Sequence, residues 1–245
     1  MNLSRRYNLV EVILALGVVA IGVVSIMALF PIGANASRDA SMETYAANTA
    51  DEMLQFIKYR LKEVDDDDTQ DKVDERWEKL IGDDDDSGVI KKKPTNDSDV
   101  RTILNVEKDD LDKKTVWVKP DIDIFGDIFN STHTIYQHHT NKQLFQLLSH
   151  RNSDDIELGD TNDSDSTKDF ATNVDFRAIA YIWKEQIVMD QTLASDSKVD
   201  YKSGVRIIVR VTWPAEIQFD DADTTYNARQ KADYVLEVFK PIVQE

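Results

Sequence analysis

Few side chains in this sequence have the type and spacing to do chemistry, and the first is an acid in an apolar setting. No charged residue occurs over positions 12–32, so Glu11 is a lone carboxylate at the leading edge of a greasy run. A carboxylate near hydrocarbon seeks a cation or water. At this position it has three options: water at the membrane boundary, the nearby Arg6, or a cation carried by a neighbouring chain. The four histidines, His133, His138, His139 and His150, form a second candidate set. Imidazole is a common metal ligand. None of the four has the carboxylate–histidine spacing of a zinc enzyme, and adjacent His138 and His139 are expected on opposite faces of a strand. The third candidate is Asp160-Thr161-Asn162-Asp163-Ser164-Asp165, which is oxygen-rich as calcium loops are. Asp160, Asn162, Asp163 and Asp165 are its calcium ligands if it has any. It lacks the turn glycine and the twelfth-position glutamate of an EF-hand. A solvated acidic surface accounts equally for it and for the aspartate runs 65–68 and 83–86. No GxSxG, P-loop, GxGxxG or HExxH motif occurs, so no catalytic residue is expected, and no cofactor other than calcium.

Composition narrows the function classes further. The chain has 245 residues, a formal charge of -17 and no cysteine. The acidic balance argues against nucleic acid, because phosphate binding needs clustered Lys and Arg. The absence of cysteine removes disulfides, thiol catalysis and thiolate-bound zinc. Hydrophobic residues at 41% are enough for a packed core, so global disorder is not expected.

The elements that would position Glu11 begin with the apolar run itself. Roughly 20 residues at about 1.5 Å rise span a hydrocarbon core of about 30 Å. Arg5 and Arg6 precede the run and no basic cluster follows it. The positive-inside rule then places the amino terminus in the cytoplasm and the rest of the chain outside. A cleaved secretory signal is the competing reading, but its apolar region is usually only about 7–15 residues. Ala34-Asn35-Ala36 has some likeness to a cleavage site, which would start the mature chain near Ser37.

Tyr7-Asn8-Leu9-Val10-Glu11-Val12-Ile13-Leu14-Ala15-Leu16-Gly17 closely resembles the start of type IV pilins and type II secretion pseudopilins. Members of that family carry a short basic leader, an aromatic residue, a small polar residue, two aliphatics and a glutamate. The run LVEVILALGVVAIG followed by ALFPIGANASRDA is similar to the minor-pseudopilin branch, and the likeness covers about the first 55 residues. The resemblance implies a pilin-like structural subunit that assembles through its hydrophobic helix into a type IV pilus or a type II secretion pseudopilus. It implies cleavage by a prepilin peptidase between Arg6 and Tyr7 and N-methylation of the new Tyr7 amine. Glu11 would then pair with the Tyr7 amine of the adjacent subunit and set filament register. The implied partners are other pilin or pseudopilin subunits, the peptidase, an inner-membrane assembly platform and membrane lipid. The implied location is the bacterial inner membrane, single pass, with the carboxyl-terminal domain periplasmic or on a surface filament. Some pseudopilins bind calcium in a carboxyl-terminal loop, which bears on residues 160–165. One departure stands in the leader: Arg6 occupies the place where the family carries glycine. A retained leader would leave no free amine at Tyr7 and would favour a single-pass anchored binding or scaffold domain that does not polymerise.

The rest of the chain reads as an α+β domain, with a long helix packed on an antiparallel sheet, a pilin-like arrangement. Residues 1–6 form the leader, 7–32 the transmembrane segment, 33–64 an amphipathic extension and 65–245 the globular domain. Pro31 and Gly33 are expected to interrupt the helix just past the membrane. Beyond them Ala40, Ala47, Leu54 and Leu61 recur every seven residues, as do Ala50, Ile57 and Val64, forming an apolar stripe widened by Met53. Phe56 and Tyr59 fall off it, which points to a second contact surface at that end of the helix. A short helix is expected over residues 71–81 with Val73, Trp77, Leu80 and Ile81 on one face, then mostly loop over 91–114. Strands are expected over 115–118, 122–129, 132–138, 174–182, 205–213 and 234–239, and residues 143–148 fit either helix or strand.

Overall fold

The computed structural model describes residues 9–63, 69–83, 87–113, 115–118, 120, 133–150, 174–189, 198–217 and 229–243. The chain divides into two compact units, Met1–Thr44 and Tyr45–Glu245. The first helix, α1, runs over Leu9–Lys62 and contributes to both.

In the first unit the helix passes through Pro31 and Gly33 without a break, contrary to the interruption expected there. Proline removes one backbone donor, and a helix of this length retains the bonds on either side. Ser25 Oγ donates to the Ile21 carbonyl at 2.8 Å and Ser41 Oγ to the Ser37 carbonyl at 2.9 Å, both within the helix.

In the second unit α1 buries Ala46, Thr49, Ala50, Met53, Leu54, Phe56, Ile57 and Leu61. Ala50, Met53, Leu54, Ile57 and Leu61 belong to the expected stripe. Phe56 lies off it and is buried, in keeping with a second contact surface at this end of the helix, whereas Tyr59 is exposed. The buried face is therefore wider than a heptad seam. The Tyr45 ring meets the Phe176 ring at 5.9 Å, which sets this part of α1 against the sheet.

That sheet has six antiparallel strands in sequential order. They are β1 (Trp117–Val118), β2 (His133–His138), β3 (Leu144–His150), β4 (Val174–Glu185), β5 (Gly204–Trp213) and β6 (Gln230–Phe239). Each strand pairs with the next, so every connection is between neighbours. Residues 143–148, ambiguous by pattern, fall mainly in β3. The proposed strand over 122–129 lies outside the described residues.

Alternation along β4 divides its side chains between two layers. Phe176, Ala178, Ala180, Ile182 and Lys184 share the face that meets Tyr45. Ile179, Tyr181 and Trp183 take the other face, in a cluster with Val100, Leu104, Leu111, Trp117, Tyr136 and Ile208. Val100 and Leu104 belong to a helix, α3 (Asp97–Leu104), in a stretch expected to be mostly loop. Its eight residues are rich in polar side chains and too few for periodicity to stand out. Both faces of the central strands are thus covered, and the architecture is α+β.

A second short helix, α2 (Gln70–Leu80), buries Val73, Trp77 and Leu80 as expected, and Ile81 follows it into the core. Trp77 Nε1 donates to the Tyr201 carbonyl at 2.8 Å, tying α2 to the segment before β5. The helix ends in a knot of backbone. Gly82 has φ 62°, the left-handed conformation that glycine adopts without strain. A Cβ on Gly88 would lie within 3.0 Å of Ile81 and Gly82 backbone atoms, so only glycine fits where the chain doubles back. Ile90 N then donates to the Leu80 carbonyl at 2.9 Å. Lys184 Nζ closes the knot by donating to the carbonyls of Ile81 and Asp83.

Candidate functional site

The stretch Leu9–Phe30 within α1 has a mean hydropathy of 2.9 and none of it is buried within the chain. It is long and apolar enough to cross a membrane, consistent with a single-pass anchor. A row of Leu, Val and Ile side chains that stays exposed on a folded chain is out of balance with water. Burying each such side chain gains about 1.5–3 kcal/mol. Leu9 is 75% exposed, Ile21 71% and Phe30 78%, an apolar surface that lipid or another apolar surface would cover favourably.

Glu11 lies in the first turn of this helix and is exposed. Arg6 and Tyr7 lie outside the described residues. A Cβ at Gly17, Gly22 or Gly33 would meet nothing within 4 Å, so no close contact inside the chain requires glycine at these positions.

The oxygen-rich segment with Asp160, Asn162, Asp163 and Asp165 also lies outside the described residues. Among the described residues no group of three His, Asp or Glu side chains is placed to hold a metal ion.

The histidine pair differs from its expected arrangement. β2 ends at His138, and His139 is already in the turn, so strand alternation does not separate them. Their rings stack with centroids 5.0 Å apart, and the Trp117 ring meets His138 edge-on at 5.3 Å. His138 Nδ1 accepts from the backbone N–H groups of Thr140 at 3.3 Å and Asn141 at 3.2 Å. Asn141 Oδ1 in turn accepts from Gln143 N at 3.1 Å. The imidazole thus caps the turn between β2 and β3, a structural role that requires a bare Nδ1. Burial pushes the His138 pKa below 6.5, and the neighbouring His139 adds to this while Asp110 opposes it. With the folded pKa lowered, the unfolded chain binds the proton first as pH falls. The stability from this cap is complete above about pH 6.5 and is lost as pH drops toward the folded pKa. His138→Asn keeps an acceptor near the Nδ1 position and removes the titration. Melting curves of the two proteins from about pH 7 to about pH 5 are expected to show a steeper fall in Tm for the histidine form. Parallel curves would contradict the capping role.

Three buried cations went unanticipated. Lys184 is 1% exposed, in line with the inward residues of β4, and its ammonium also lies 4.8 Å from the Tyr201 ring centroid. Arg177 Nη2 donates to Asp112 Oδ1 at 2.6 Å, and its Nε lies 3.7 Å from Glu216 Oε1. Arg229 donates to the Thr212 hydroxyl at 2.9 Å and to the Ile217 carbonyl at 3.2 Å. Burial lowers the Arg229 pKa to about 10, opposed by the Glu216 charge, so the guanidinium stays protonated near neutrality. These groups fasten loops to strand ends. A charge in phase with the buried residues, as Lys184 is with Ala178, Ala180 and Ile182, is the signal that pattern reading passes over.

The feature that stands out among the described residues is therefore the exposed apolar surface of α1, with Glu11 at its start. No protein-family model, curated protein or solved structure matches this chain.

Proposed function

We propose that the chain is a pilin-like subunit that is held in the bacterial inner membrane and assembles through its first helix into a type IV pilus or type II secretion pseudopilus. The observation that carries this reading is the 22-residue apolar stretch Leu9–Phe30, exposed along its whole length and bearing one carboxylate, Glu11, in its first turn. An anchor alone accounts for the apolar surface. It leaves the carboxylate at a net cost, which a cation from a neighbouring subunit removes. Assembly then exchanges lipid for neighbouring helices, and Glu11 neutralisation selects the register. The α+β unit beginning at Tyr45 faces the periplasm or the filament exterior, where it meets partner subunits.

A second reading, an anchored periplasmic scaffold that does not polymerise, is favoured by Arg6 in the place of the family's glycine. Intact-mass and amino-terminal analysis of the chain from its native host distinguishes them. The subunit reading expects a chain starting at a methylated Tyr7. A chain that retains Arg5 and Arg6 supports the scaffold, and one starting near Ser37 refutes both.

A further inference from the structure

The sheet ends on β6, a ten-residue strand that pairs with β5 along its whole length and has no strand on its other side among the described residues. A long, regular edge is a template for a further strand. We propose that this edge pairs antiparallel with β6 of a second copy of the chain, joining two sheets about a two-fold axis that passes Tyr234. The inference goes beyond the filament reading and does not depend on the first helix.

The charges on β6 select the partner and the register. Lys231, Asp233, Val235 and Glu237 alternate on one face and all are exposed. Asp233 is held by Arg210 of β5 at 2.6 Å and Glu237 by Arg206 at 2.6 Å. Lys231 makes no ion pair among the described residues. Both contacts from Arg206 fall on Glu237 Oε1, and neither uses Oε2.

Directly opposed residues of two antiparallel strands point to the same face, so two identical strands pair about a two-fold only in alternate registers. With Tyr234 opposite itself, Lys231 of each copy stands opposite Glu237 of the other. On the second face Ala232 stands opposite Leu236, a small residue against a large one, around a central pair of tyrosines. These are the kinds of cross-strand pair that stabilise a sheet. Centring on Asp233 sets two carboxylates against each other. A centre at Val235 opposes Asp233 to Glu237 twice. Moving the centre to Leu236 carries Lys231 opposite Pro241, which has no backbone donor. Of these four, the Tyr234 register alone joins opposite charges without also setting carboxylates against each other.

The native chain contains no cysteine, so single cysteines report this contact without background. Directly opposed Cα atoms lie about 4.5–5.5 Å apart, inside the disulfide window of about 4.4–6.8 Å. Positions two residues out of register lie about 7–8 Å apart and point less favourably. Single cysteines at 233, 234, 235 and 236 are introduced in the full chain, which is solubilised in mild detergent and oxidised gently. Tyr234→Cys is expected to give the covalent dimer in clear excess over the other three. Adding Lys231→Glu, an exposed change that leaves the fold alone, is expected to reduce that dimer about tenfold, because both new carboxylates face acids. Circular dichroism of each variant confirms folding. Absence of dimer at all four positions in folded protein, equal dimer at all four, a maximum away from 234, or indifference to Lys231→Glu overturns the pairing. Association through the first helix alone gives the pattern without a maximum at 234, so this test and that of the filament reading fail separately.

Discussion

Glu11→Ala is expected to insert into the membrane as well as the unsubstituted chain and to be missing from filaments. Removing a carboxylate from the leading edge of the apolar stretch Leu9–Phe30 makes lipid, if anything, a better solvent for it, by at most about 2.5–3.5 kcal/mol and less near the boundary. The same change removes the acceptor for a neighbour's cation. Two unit charges 4 Å apart at an effective dielectric of 20 attract by about 4 kcal/mol, so the variant should incorporate at least about 100-fold less efficiently. Glu11→Gln separates charge from shape: it retains size and hydrogen bonding, and its failure to assemble would assign the effect to the charge. Quantitative blotting of membrane and sheared-filament fractions reads both variants. Normal incorporation of either one contradicts the pairing role.

The largest loss of stability is expected from Lys184→Ala. The Lys184 stem is buried on the same face as Ala180 and Ile182, and its ammonium satisfies the Ile81 and Asp83 carbonyls under the Tyr201 ring. Truncation opens a cavity and leaves those carbonyls without their donor. Cavity formation in cores costs about 2–5 kcal/mol, and an unsatisfied buried group about 1–3. A destabilisation of about 3–5 kcal/mol is expected, a large part of the stability of an ordinary domain. Lys184→Met keeps most of the stem and loses the donor, so about half of that loss is expected. Chemical unfolding of the full chain in detergent, followed by tryptophan fluorescence, measures both, since Trp77 and Trp183 are buried in the folded chain. A loss under about 1 kcal/mol for Lys184→Ala would show that the carbonyls find other donors.

Legibility in the sequence followed the strength of local pattern. β4 and β5 were legible because apolar residues, β-branched above all in β5, recur through nine consecutive positions of each. The short helix α2 was legible because Val73, Trp77 and Leu80 fall on one turn-spaced face. α3 was not, since Val100 and Leu104 become core residues only when Trp117, Tyr136 and Trp183 are brought against them from distant parts of the chain. The helix carried on past Pro31 because one lost backbone bond does not end a long helix. Phe56, off the seven-residue repeat, is buried where a second contact surface was expected, whereas Tyr59 beside it is exposed. The site was legible to the extent that it is local. An acid followed by an uncharged apolar run is visible in the letters, whereas Lys184, Arg177 and Arg229 depend on loops folded from elsewhere. His138 and His139 stack because the strand ends between them, and strand ends are the part of a pattern that periodicity locates least well.

The central claim is that the apolar face of α1 is covered by other subunits. It is tested most directly by single cysteines placed along residues 12–30 of the full chain in its native host, followed by oxidation and recovery of surface and periplasmic filaments. The account predicts disulfide-linked pairs within sheared filaments, concentrated on particular turns of the helix and lost in a Glu11→Ala background. Recovery of the chain only as an uncross-linked species in the membrane fraction, with Glu11→Ala behaving identically, would contradict it.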